Sequence, residues 1–422
     1  MSGSSSAARL PCRDWASRLA AVVEAPWDVA EGTRAAGKRV IGIFGHRAPR
    51  ELVLSSGMHP VRLRPMALAR TAAGADAKHT QVVPDGLSGE LSREAIVLLE
   101  LVLTGSLPWI DGLLIGRDTE AHLRLFYVIR ELAAESDYAG LLPPFAFSDV
   151  LKLPLRTSAL YNRARMAELG ETLTQWAHPR SKQNGVRAAA REPSGLPLAD
   201  GWPELQSVIA DQCALVAILR EIESLRADRR VAGTEALLAH RASEVLLPQE
   251  CRSLLQELVA DTSARQPLTG GVRTFLTGSE LEHTSYALLE EAGLALVGDD
   301  HSADAMAPLG ASAPADPIGW IADRYQFSPV GAARAGLTRV RELAAAARAS
   351  RAEAVLQIVL PDDEASAWEL AELRAELPEL PVVSAALDEV SEHSLLSARL
   401  KDAALAVREE VKRGSGTVRN AW

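Results

Sequence analysis

The stretch Arg39-Val-Ile-Gly-Ile-Phe-Gly-His-Arg-Ala-Pro-Arg-Glu-Leu-Val-Leu-Ser-Ser-Gly-Met-His-Pro-Val-Arg-Leu-Arg64 reads as strand, helix, strand. Arg39 to Gly45 has the β-branched, apolar composition of a buried strand and is closed by glycine. Arg50 to Ser56 suits a helix, with Gly57 just past its end as a C-cap. Pro60-Val-Arg-Leu-Arg64 alternates apolar and polar residues, as a strand does. Further along, Arg93 to Leu103 predicts a helix, Gly112-Leu-Leu-Ile-Gly116 a strand, Glu120 to Ala134 a helix and Pro144-Phe-Ala-Phe147 a short strand. Strands alternating with helices imply right-handed crossovers and a largely parallel sheet.

The same rhythm returns later in the chain. Val272 to Gly278 is a strand, Leu281 to Ala292 a helix capped by Gly293, and Leu294 to Gly298 a strand. Helix Val340 to Arg351, strand Val355 to Leu360, helix Glu364 to Glu376, strand Pro381 to Ala385 and a helix over Glu392 to Lys412 follow. No convincing sequence repeat joins the two halves. Between them, Ser158 to Ala260 is helix-rich around a looser stretch, Ser181 to Asp200. Leu205 to Arg226 is amphipathic, with Leu205, Ile209, Leu215, Ile218 and Ile222 as expected core contacts. The expected division is a helical arm over 1–37, a first α/β domain over 38–157, a helical connector over 158–268 and a second α/β domain over 269–422.

Composition narrows the function classes. The chain has 422 residues, 47% hydrophobic and 24% charged, with a formal net charge of -10. That balance allows a full globular core and supplies no field for nucleic acid or an anionic membrane surface. No apolar run approaches the roughly 20 residues a membrane span needs. No basic stretch followed by an apolar run opens the chain, so no secretory signal is expected. Three cysteines (Cys12, Cys213 and Cys251) lie far apart, which points away from a disulfide framework and toward a reducing, cytoplasmic setting. Cys213, in an apolar stretch, reads as a small core residue.

In open α/β sheets, ligands collect at the carboxyl ends of the strands. Three such ends run into Arg117-Asp118-Thr119, Asp299-Asp300-His301-Ser302 and Pro361-Asp362-Asp363, and none holds a cysteine. Two readings of these tips stand open. Asp118 and Asp362 are placed to cap the helices that follow them. Alternatively, carboxylates and the His301 imidazole converge on a hard divalent metal. His46, Arg47, Arg50 and Glu51 follow the first strand, either as a basic tip for an anionic ligand or as a solvated turn. His283 and Tyr286, within one helical turn, read first as surface neighbours and second as a proton-transfer pair. No Walker motif, G-x-S-x-G elbow, H-E-x-x-H or C-x-x-C occurs, and Gly42 and Gly45 do not make a G-x-G-x-x-G fingerprint.

The run from Val40 to Arg64 resembles the opening motif of 2-hydroxyacyl-CoA dehydratase and benzoyl-CoA reductase subunits, in which a strand, a Pro-x-Glu-Leu turn and a small-residue helix lead into Gly-x-x-Pro-Val-Arg-Leu. Leu276-Thr-Gly-Ser279 with Glu291 to Asp300 resembles the family's second landmark, and Val355 to Leu360, Leu380-Pro-Val-Val and the Leu395 to Ala406 helix its closing portion. The resemblance implies two flavodoxin-like (Rossmann-like) parallel-sheet units with a helical connecting segment. It also implies an acyl-CoA thioester substrate, to which His46, Arg47, Arg50 and Glu51 are the expected contacts. Members that do the chemistry hold a [4Fe–4S] cluster through cysteines at three strand ends. The matching places here are Arg117 or Asp118, His301 or Ser302, and Pro361 or Asp362, which are poor ligands for such a cluster. The expectation is therefore a cluster-less subunit with no metal of its own, partnered by a sister subunit that carries the [4Fe–4S] centre. Two other readings remain: a stand-alone pseudo-enzyme that binds acyl-CoA or a protein, and a repurposed enzyme with a hard metal at the tips.

Overall fold

The computed structural model of the chain describes residues 14–74, 91–138, 140–178, 203–301, 314–327, 337–360, 363–387 and 393–419. Cys12, the stretch Ser181 to Asp200, Ser302, Pro361 and Asp362 lie outside the described residues.

The first half builds a four-stranded parallel sheet from β1 (Val40–Phe44), β2 (His59–Arg62), β3 (Gly112–Gly116) and β4 (Phe145–Ser148), in the order β2-β1-β3-β4. Helices α1 (Asp14–Glu24) and α2 (Pro26–Ala35) precede it. Helices α3 (Arg50–Ser55), α4 (Pro65–Gly74), α5 (Arg93–Leu103) and α6 (Glu120–Leu132) are interleaved with its strands. Alternate side chains of β1 enter different cores. Val40 and Phe44 pack with α2, α5 and α6, whereas Ile41 and Ile43 pack with later helices on the other face. A strand covered on both faces must be apolar throughout, which is why the period-two signal is absent from it.

Helices α7 (Arg156–Ala177), α8 (Pro203–Ala227), α9 (Gly233–Ser243) and α10 (Pro248–Ser263) come next. They share cores with both sheets. Met166 and Leu173 of α7 and Leu205 and Ile209 of α8 lie against Ile41, Ile43 and Leu114, while Leu237 of α9 lies against Leu276 and Leu296. The N-terminal helix docks on this layer through Trp15, Leu19 and Val23, which recur at helical spacing.

The second sheet repeats the first in topology. Strands β5 (Val272–Gly278), β6 (Leu294–Asp299), β7 (Ala354–Val359) and β8 (Val382–Ala386) are parallel in the order β6-β5-β7-β8. Its helices are α11 (His283–Glu291), α12 (Pro317–Phe327), α13 (Leu337–Ala349), α14 (Glu364–Glu376) and α15 (His393–Arg419). The α/β class with two flavodoxin-like parallel units is thus the observed architecture.

One helix crosses between the halves. Although α12 follows β6, its Ile318, Ile321 and Tyr325 pack against Ile41, Ile43 and Leu114 of the first unit. Each sheet has its topological switch point beside its first strand, between β1 and β3 and between β5 and β7.

Candidate functional site

At the first switch point the backbone approaches itself closely. Gly45 follows β1 with φ +88, and a Cβ there would lie 2.8 Å from the Gly116 carbonyl oxygen. A Cβ on Gly116 would in turn lie 2.7 Å from the Ala48 nitrogen, so both positions require glycine. The turn so formed points its amides at β3. Asp118 Oδ2 accepts the His46 N–H at 2.6 Å, and Oδ1 accepts the Arg47 N–H at 3.0 Å. The capping role expected of Asp118 is therefore corrected: its carboxylate is spent on the β1 turn, and Thr119 occupies the N-cap of α6 without a side-chain bond. Arg117 pairs with Asp149 at 3.0 Å and Glu120 at 2.8 Å.

Two groups at this tip carried no signal in the sequence. Lys152 Nζ donates to the Asp118 carbonyl at 3.1 Å, and burial together with the nearby Arg47 lowers its amine to about 8. The buried His122 donates its Nδ1–H to the Gly116 carbonyl at 2.7 Å. Burial opposes charge on this ring, yet the hydrogen bond to Glu94 and the Asp118 carboxylate outweigh it and raise its pKa.

The four expected substrate contacts part company. Arg47 is fully buried, with its guanidinium toward the Tyr325 carbonyl. Arg50 donates to the Ser243 carbonyl. Glu51 accepts from the Tyr325 hydroxyl at 2.7 Å and pairs with Arg324 at 3.2 Å. These three tie the turn to α9 and α12, so the solvated-turn alternative does not describe them. His46 alone reaches the seam between the sheets, with its side chain 21% exposed and its Nε2 3.0 Å from Glu280 Oε1.

That seam is ionic. Glu280 also pairs with Arg64, Arg64 with Glu244 at 2.8 Å, and Arg62 with Glu244 at 3.3 Å. Arg62 Nη1 donates to the Gly45 carbonyl at 2.6 Å, which links the seam to the first tip. Burial works against charge on Glu244, but Arg64, Arg62 and Arg241 outweigh it and hold its carboxyl down to about 2. Burial likewise opposes Glu280, and Arg64, Arg241 and His46 hold it well below the usual carboxylate range.

The β6 tip is a closed polar core. Asp299 pairs with Arg226 at 2.6 Å, receives the Tyr286 hydroxyl at 2.9 Å and accepts the His301 N–H at 2.9 Å. The Tyr286 oxygen also lies 2.9 Å from His301 Nδ1. Asp300 pairs with Arg339 at 2.7 Å, and Arg339 with Glu369. The pairing of His283 with Tyr286 is corrected accordingly. Tyr286 is fully buried against His301, while His283 faces Glu24 at 3.5 Å. Burial and the adjacent Asp299 push the Tyr286 hydroxyl well above its ordinary range.

At the second switch point, Ser279 donates to Asp363 at 2.7 Å and accepts the Leu360 N–H at 2.9 Å. Asp363 also caps α14 by accepting the Ser366 N–H at 3.0 Å. Helix capping is thus performed by Asp363, one position beyond the Asp362 expected for it.

Among the described residues of these tips, Asp118, Asp299 and Asp363 already have their carboxylates bonded within the chain. Among the described residues, no group of three or more His, Cys, Asp or Glu is gathered to hold a metal ion. Cys213 and Cys251 are buried in helix-packed cores. Burial raises both thiols, Cys251 to about 12, so neither is a ready thiolate. Among the described residues of the tips, carboxylate, guanidinium and imidazole groups stand where an iron–sulfur cluster needs thiolates, and they do not fit one. No helix among the described residues is long and apolar enough to cross a membrane.

A family model described as 2-hydroxyglutaryl-CoA dehydratase, D-component matches residues 47–402, from the turn after β1 into α15. No curated protein matches the chain.

Proposed function

The chain belongs to the 2-hydroxyglutaryl-CoA dehydratase D-component family, and on that premise we propose that it is the non-redox subunit of a complex acting on acyl-CoA thioesters. A sister subunit would hold the [4Fe–4S] cluster, which supplies the low-potential electron. The observation that carries this reading is the Asp118 clamp. Where the resemblance places a cluster thiolate, a carboxylate accepts two backbone amides and has no free role as a soft ligand.

The work left to this chain is binding and positioning. His46, held at the seam by its Asp118-bound amide, is the contact offered to the thioester carbonyl. Arg47, Arg50 and Glu51 fix the turn that presents it. Lys152, lowered to about 8 beside the same tip, supplies a second group able to exchange a proton near neutral pH.

The test is anaerobic co-expression with a family member that retains cysteines at its three strand tips. A stable heteromer that dehydrates an (R)-2-hydroxyacyl-CoA, with turnover lowered in His46→Ala, is the expected result. A chain that stays monomeric beside that member and leaves its turnover unchanged would remove the reading.

A further inference from the structure

His122 meets an acceptor at each ring nitrogen. Its Nδ1 lies 2.7 Å from the Gly116 carbonyl oxygen, and its Nε2 lies 3.5 Å from Glu94 Oε1. A carbonyl oxygen and a carboxylate only accept, so a favourable contact at both ends needs a proton on both nitrogens. In the neutral Nδ1–H tautomer the Nε2 lone pair would face the Glu94 carboxylate. In the other tautomer a lone pair would face the Gly116 carbonyl. The imidazolium alone satisfies both neighbours. Burial of the ring opposes the charge, and Glu94 and Asp118 outweigh it.

The same ring bears on the turn that carries His46. It packs on Phe44 with ring centroids 4.6 Å apart. A Cβ on Gly45 would meet His122 Nδ1 at 2.9 Å and Asp118 Oδ2 at 3.0 Å, so imidazole and carboxylate flank one point beside Gly45. Asp118 Oδ2 is the atom that accepts the His46 N–H. A positive charge on His122 therefore holds the acceptor of the His46 amide in place.

Among the described residues, the charged groups around this tip come from several elements. Glu94 comes from α5 and Asp118 from the end of β3. Lys152, after β4, donates to the Asp118 carbonyl, and Arg47 of the β1 turn directs its guanidinium to the Tyr325 carbonyl. Arg117 and Glu120 pair with each other at the start of α6. Of these, Glu94 and Asp118 are the carboxylates that act on the ring.

We propose that His122 is a resident imidazolium and the positioning residue for His46: protonated, it locks the Gly45–His46 turn against Asp118, and deprotonated, it releases that turn. The consequence for substrate rests on the reading of His46 as the thioester contact, whose presentation would then be set by pH. Because the fold favours the charged ring, the lock holds below pH 6.5, the ordinary histidine value, and is lost as pH rises through the higher folded midpoint.

The test uses the full chain without substrate, so its failure leaves the heteromer test untouched, and the reverse holds too. Histidine labelled with ¹⁵N reports both the rings and the His46 backbone amide, and His122→Gln identifies the His122 signals. At pH 7 both His122 nitrogens are expected to carry protons. The His46 amide signal is expected to shift with the His122 midpoint, above pH 6.5. In Glu94→Gln both midpoints move down together. His122→Gln, whose amide still donates to the Gly116 carbonyl, is expected to lose that step in the His46 amide. A neutral His122 ring at pH 7 overturns the proposal. A His46 amide that ignores the His122 titration also overturns it, and leaves His122 a structural residue only. Should His122→Gln fail to fold, Glu94→Gln, at a carboxylate 33% exposed, decides by whether the two midpoints move together.

Discussion

Asp118 stands one residue before the N-cap of α6 and turns its carboxylate away from that helix, onto the amides of His46 and Arg47. Hydrogen bonds to a charged acceptor contribute about 1.5–3 kcal/mol each. Asp118→Ala is therefore expected to lower unfolding stability by about 3 kcal/mol or more, with Asp118→Asn losing less, as read by urea denaturation. A loss within the noise for Asp118→Ala would mean the clamp is ornamental. An aspartate just before a helix is a local pattern and reads as a cap; its true partners lie more than seventy positions upstream, where no local pattern reaches. Tyr286 gave the same lesson. Its helical spacing to His283 was legible, but the rotation of α11 that buries it against His301 is set by Leu237, Leu276 and Leu289 in the shared core.

The strands were the most legible elements. All eight fall within a residue or two of the bounds read from the sequence, because the covered central strands β1 and β3 are apolar throughout and end at glycine turns, while β2 alternates. The long helices α5, α8 and α14 were equally plain. Helix α12 was not. Pro317 to Phe327 mixes Gly319, Asp323 and Arg324 with its apolar residues, and its apolar side is matched to sheet residues more than two hundred positions earlier. Ile321 is fully buried in that contact. Ile321→Ala is expected to destabilise the first unit by about 2–5 kcal/mol, with hydrogen exchange rising in β1 and β3 more than in β5 and β7. Exchange rising only in the second sheet would show that α12 belongs to that unit instead.

Across the whole molecule, the two sheets are joined by the seam of His46, Arg62, Arg64, Arg241, Glu244 and Glu280. Apart from Arg241 with Glu244, three residues apart, these pairings are not visible in sequence, since each links residues far apart in the chain, and a scattered arginine reads as a surface charge. Glu244 sets its pH response. Its carboxyl is held down to about 2 in the folded chain against an ordinary glutamate value of 4.5, so it contributes stability above pH 4.5 that is lost as pH falls toward 2. Glu244→Gln leaves Arg62, Arg64 and Arg241 short of a counter-charge and is expected to cost about 3–5 kcal/mol near neutral pH, with a flatter acid limb than the wild type; an unchanged acid limb would contradict the assignment. The division of labour with a cysteine-bearing sister rests on the chemistry of the strand tips as a set. It is tested most directly by iron and acid-labile sulfide content of the isolated chain after anaerobic reconstitution with ferrous ion and sulfide. Background levels of both are expected. A full cubane complement retained through desalting, and lost on substituting Asp118, would contradict it.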